Sequence, residues 1–136
     1  MLVSRLGRRH ILDFMATLGG APLFNDGVVW DTTLDLVRYM QAANDFAAQD
    51  ADLGGLLMSD LTHPKSTDRI RSGTPAVIVV AHKIGNLLGV VNNVGLVRAP
   101  AGDYYLALMS SGVPDDETGA GVEEHVAQMV CEAIGR

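Results

Sequence analysis

The sequence predicts an α+β domain in which helices pack on a small antiparallel sheet. Three observations lead there. Apolar residues recur at i, i+3, i+4 and i+7 spacing through roughly the first sixty residues. The period then changes to continuous, β-branched apolar runs between residues 76 and 110, joined by short Gly- and Pro-containing turns, as in a meander. A final amphipathic segment closes the chain, giving helices first, then strands, then one helix.

Taken in order, Leu2 to Leu18 reads as helix, with Gly7 as a break point and Ile11, Phe14, Met15 and Leu18 on one face; Gly19-Gly20 ends it. Ala21 to Asp31 reads as a loop. Asp31 or Thr32 caps a second helix running to about Ala48, with Asp35 in its first turn and Leu34, Val37, Tyr39, Met40 and Phe46 on its apolar side. A third helix covers Ala51 to Leu61 with Leu53, Leu56, Leu57 and Leu61 inward, although Gly54-Gly55 weakens it. A helical turn is expected through Asp68-Arg69-Ile70.

Ala76 to Ala81 reads as a central strand covered on both faces, Gly89 to Val97 as its return, and Tyr104 to Ser110 as the third strand. Ser111 to Gly121 reads as a loop. The last helix runs from about Ala120 to Ile134 with Val122, Val126, Met129, Val130 and Ala133 on one face. With no internal repeat or linker, residues 1–136 form one unit. A three-stranded sheet is small for so apolar a first strand, which points to partner strands from outside this chain.

Composition excludes several classes. At 136 residues and 48% hydrophobic, with mean hydropathy +0.19, the chain can bury a core. A net charge of −6 argues against a nucleic-acid partner, and Arg5, Arg8, Arg9, Arg69 and Arg71 read as solvated. No apolar run is long enough to span a membrane. The start lacks the pattern of a secretory signal, so the chain as given reads as cytoplasmic. Cys131 is single and has no internal disulfide partner. His10, His63 and His125 are too scattered for a metal site, and nothing calls for a cofactor. Met40, Met58, Met109 and Met129 read as core filler, and Asp115, Asp116 and Glu117 as a solvated loop.

The candidate site is Lys83, one of only two lysines, read as sitting where an apolar strand gives way to Gly85. A cation there suits an anion. His82 reads as its neighbour, not as a base. Asn92 and Asn93 fit equally a site role and strand hydrogen bonding.

The run from His82 to Val97 resembles the class A β-lactamase-like serine hydrolases, in which a strand ends on Lys-Thr-Gly, turns, and returns through Gly-x-x-Asn-Asp-x-Gly. Leu18-Gly19, Thr32-Thr33-Leu34-Asp35-Leu36, Asp68-Arg69-Ile70 and Pro75 resemble further family positions in the same order. The resemblance covers essentially the whole chain but only the C-terminal part of the family's catalytic domain. It implies part of the β-lactamase/transpeptidase-like fold and hydrolysis of a β-lactam or related acyl compound by a serine nucleophile. It further implies that Lys83 holds the substrate's anionic group, that Gly85 allows close approach, and that Asn86 supplies a backbone N–H to the oxyanion hole. The family is usually exported, which leaves localisation open.

The departures are specific. The residues three places after Ser4, Ser59, Ser66, Ser72, Ser110 and Ser111 are Gly7, Thr62, Arg69, Pro75, Val113 and Pro114, so there is no Ser-x-x-Lys. Ser59-Asp60 is followed by Leu61, not Asn, and residues 21–31 contain no Glu. Ile84 replaces the Thr whose hydroxyl would bond a substrate carboxylate, a loss of roughly 1.5–3 kcal/mol. Asn93 stands where the family often has Asp. The expectation is a chain that begins just after the Ser-Asp-Asn position and is inactive alone. The alternatives are a non-catalytic module that associates through an open sheet edge, with a complementary chain or a second copy, and a degraded gene product.

Overall fold

The computed structural model describes residues 2–134. Helices α1 (Leu2–Leu6) and α2 (Arg8–Thr17) are separated at Gly7, whose φ of 77° breaks the helical path as expected. Residues 21–31 are not a plain loop. They hold a hairpin, β1 (Leu23–Asn25) and β2 (Val28–Trp30), closed by Asp26-Gly27 with φ of 49° and 82°. Two left-handed residues in a two-residue turn match the twist of the strands they join.

Helix α3 (Thr33–Gln49) is capped by Thr32, not Asp31, in a reciprocal capping box with Asp35. Helix α4 (Ala51–Thr62) follows at once, capped by the Asp50 carboxylate. Its inward face differs from the expected one: Leu53 and Leu56 are exposed, while Met58 and Leu61 pack on the core. The buried glycine explains the rotation. A Cβ on Gly54 would overlap Ala47 Cα, so Gly54 lets α3 and α4 approach closely rather than weakening the helix. Phe14 is also exposed, against expectation.

The sheet is antiparallel in the order β3–β4–β5, with β3 (Val79–Leu87), β4 (Val90–Ala99) and β5 (Gly102–Ser111). Leu88-Gly89 and Pro100-Ala101 make two-residue turns. The first strand thus starts three residues later than expected and runs six residues further. It lies at the sheet edge, and β4 is the central strand. Ala76 to Ile78 form a turn, and Val77 is 88% exposed.

Helix α5 (Asp116–Ile134) covers one face of the sheet, where Ile70, Ile78, Val80, Val97, Ala127 and Cys131 form a core. Helices α3 and α4 cover the other, around Met40, Ala81, Val94 and Leu96. Burying side chains such as Ile70, Leu96 and Val97 contributes about 1.5–3 kcal/mol each. α5 begins at Asp116 because Asp115 accepts from the Thr118 N–H at 2.7 Å, and these Thr118 hydrogen bonds hold its carboxyl below the usual carboxylate range. Its buried stripe is Gly119, Ala120, Glu123, Ala127 and Cys131. Val122 and Met129, expected inward, are exposed. The expected helical turn at Asp68-Arg69-Ile70 is instead a non-helical turn, with Arg69 at φ 62°.

Candidate functional site

Alternation along β3 sorts the candidate residues onto two faces. Lys83 and Gly85 lie on the α3/α4 side, following Ala81. His82, Ile84 and Asn86 lie on the α5 side, following Val80. Lys83 is therefore mid-strand, not at a strand end. Its ammonium is exposed and donates to the carbonyl of Ile84. Next to it on the same face, Gly85 has open space wherever a Cβ would point.

Lys83, Ile84, Gly85, Asn92 and Met109 line a cavity of about 180 Å³, together with Val29 of β2 and Asp31 just after it. Sequence reading missed Val29 and Asp31. It treated Asp31 only as a cap candidate, and no local motif marks it. What brings it over the sheet is a tertiary staple. Buried Asp35 accepts from the Thr32 N–H at 3.0 Å, the Thr32 hydroxyl at 2.8 Å and the Ala21 N–H at 3.3 Å. Arg38 donates to Gly19 O at 2.6 Å and lies 3.4 Å from Asp35. The Thr32 hydrogen bonds hold the Asp35 carboxyl below its usual range. Together these contacts tie the end of α2, the hairpin and the start of α3 into one piece. Asp31 itself accepts from the Tyr39 hydroxyl at 3.0 Å, and burial pushes its carboxyl up against that bond.

The other face of β3 is tied down. Asn86 accepts from the Arg69 guanidinium at 2.9 Å and donates to Asp116 at 2.6 Å. Arg69 is 1% exposed and also donates to Asp68 at 2.7 Å, while its Nε lies 3.6 Å from buried Glu123. These contacts hold Arg69 in a left-handed backbone that costs about 1–3 kcal/mol outside glycine. Desolvation pushes the Glu123 carboxyl up to about 7, with Arg69 opposing it. His82 is buried on this side, its Nδ1 3.4 Å from Asn93 Oδ1, and burial lowers its basicity. His82 thus backs the strand and does not line the cavity. Strand alternation puts Asn92 on the Gly85 face and the buried Asn93 on the His82 face, although both contribute to the cavity lining.

Asp116, read as a solvated loop residue, is a helix residue bonded to Asn86. Among the described residues no helix is long and apolar enough to cross a membrane. Met109 and Met129 are exposed rather than core filler.

Against known proteins, the beta-lactamase enzyme family matches over residues 1–134. Among solved structures, the β-lactamase of Sphaerobacter thermophilus DSM 20745 is 25% identical with a TM-score of 0.83, covering 98% of this chain and 56% of that one. The β-lactamase of Desulfarculus baarsii DSM 2075 is also 25% identical, with a TM-score of 0.78, covering 99% and 57%. PBP-A, at 21% identity and a TM-score of 0.80, covers 97% and 53% and shows the same fold. The chain therefore spans little more than half the length of these structures. No curated protein matches it.

Proposed function

The chain belongs to the beta-lactamase enzyme family, and on that premise we propose that it forms one wall of a serine-hydrolase pocket for β-lactams or related acyl compounds. Lys83 holds the anionic group of the substrate, Gly85 lets the ligand lie close to the strand, and the Asn86 backbone N–H serves the oxyanion hole. Ile84 offers no hydroxyl to the substrate carboxylate, so Lys83 acts there with less help. The serine nucleophile comes from polypeptide that completes the fold, and the chain does not turn over substrate by itself. The observation that supports this reading is the pairing of Lys83 and Gly85 on one face of β3 beside an open cavity.

The test is hydrolysis of a chromogenic β-lactam by the chain alone and after mixing with the separately expressed N-terminal half of a family member. No turnover is expected alone and measurable turnover on mixing. Lys83→Ala in the mixture is expected to lower kcat/KM about 10- to 100-fold, the size of a lost charge-assisted hydrogen bond. Turnover by the chain alone would overturn the need for a complementary half.

One observation favours a second reading, a module that associates through its sheet. The outer edge of β5 has no strand partner among the described residues, and this ten-residue strand carries a single charged residue, Asp103. Sedimentation should then show self-association or capture of the complementary half, and a monodisperse monomer at high concentration under both conditions counts against it.

A further inference from the structure

The cavity beside Lys83 has a second charged wall, which no motif of the sequence marks. Asp31 faces the same space of about 180 Å³ as Lys83, yet neither residue forms an ion pair among the described residues. Each is held by its own element instead. Asp31 is fixed by the Tyr39 hydroxyl at 3.0 Å and by its place beside the Thr32 cap, and Lys83 donates to the Ile84 carbonyl. The cavity therefore presents a cation and a carboxylate, neither of which has a charged partner among the described residues. Val29, Val94 and Met109 add apolar surface to the same lining. Burial raises the Asp31 carboxyl above its usual range, the expected result for an anion desolvated without a cation to offset it.

We propose that Asp31 is a subsite for an ammonium group, so that the Lys83 cavity selects zwitterionic acyl compounds, with the anion on Lys83 and the cation on Asp31. This rests on Lys83 being an anion site. A ligand ammonium supplies the counter-charge that Asp31 lacks, and its carbon skeleton lies along the apolar residues of the same lining.

Ampicillin and penicillin G test it, because they differ by one ammonium group on the acyl side chain. Binding of each to the native chain, alone and completed by its complementary half, is measured from ¹⁵N shifts of Gly85 and Asp31 at low salt. The chain is expected to bind ampicillin about tenfold more tightly than penicillin G. Asp31→Asn keeps an acceptor for Tyr39 and should bring the ratio to about one without weakening penicillin G. Lys83→Ala should weaken both ligands alike. Equal binding of the two by the native chain, or an unchanged ratio in Asp31→Asn, overturns the ammonium subsite while leaving Lys83 as an anion site. Binding of both that Lys83→Ala does not weaken overturns the anion site, and failure of either ligand to bind in both settings overturns both claims.

Discussion

The two faces of β3 differ as much as any two regions of the molecule. On the α3/α4 side, Lys83 and Gly85 meet almost nothing: an exposed ammonium, open space over the glycine, and a cavity. On the α5 side, the residues between and beside them are bound or buried, with Asn86 bridging Arg69 and Asp116 and His82 sealed against Asn93. One strand thus presents a face free to meet a ligand and a face that fixes its position. The period-two alternation of a strand allows this, because adjacent residues belong to different environments. A site on one face can stay unpartnered without loosening the strand if the other face is over-determined.

The sharpest way to break the contrast is to remove the residue on which the closed face depends. Arg69→Ala takes away the donors to Asn86 and Asp68 and leaves Glu123 buried without its counter-charge. It should cost about 3–5 kcal/mol, read as a lowered denaturation midpoint, with faster amide exchange at Asn86. Next in size is Gly119→Ala on the same side, where a Cβ would stand 2.7 Å from Val91 Cγ2. An overpacking cost of about 1–3 kcal/mol is expected, and a neutral result would show that α5 can shift away from β4.

A smaller effect concerns pH. Burial pushes the folded Glu123 carboxyl up to about 7 from its ordinary 4.5. A group raised in the folded state favours folding while protonated, so its contribution is lost as pH rises from about 4.5 through about 7. Thermal melts of Glu123→Gln and the native chain should therefore diverge in the variant's favour over that window, and parallel curves would remove Glu123 as a source of pH dependence. On the open face, Gly85→Ala should change stability by less than about 0.5 kcal/mol, since nothing lies near its Cβ, yet lower ligand affinity by narrowing the cavity. A large stability loss there would erase the distinction between the faces.

Much of this architecture was legible in the chain. The switch from helical to strand periodicity placed the meander and the closing helix, and Thr32 with Asp35 marked a helix start. The errors have common physical causes. Gly54 read as a helix weakness and Gly119 as part of a loop, because propensity counts the missing side chain but not the neighbour that needs the space. Leu53, Leu56, Val122 and Met129 read as inward because apolar spacing identifies a stripe without saying what covers it. In a chain that spans just over half of its structural neighbours, such stripes can be left facing solvent. The β1–β2 hairpin was missed and residues 21–31 read as a loop, because its strands are only three residues long.

By itself the sequence determined the α+β class, a meander whose first strand leads into Lys83, and the family resemblance, because these depend on local periodicity and on residues adjacent in the chain. Only the tertiary structure decided which face of that strand each residue occupies and that Arg69 and Asp116 hold Asn86 from behind. It also decided that Asp31, more than fifty positions before Lys83, shares its cavity. Those relations arise between elements far apart in sequence, through a buried carboxylate at Asp35 and the register of β3 on β4, and no local pattern of residues encodes them.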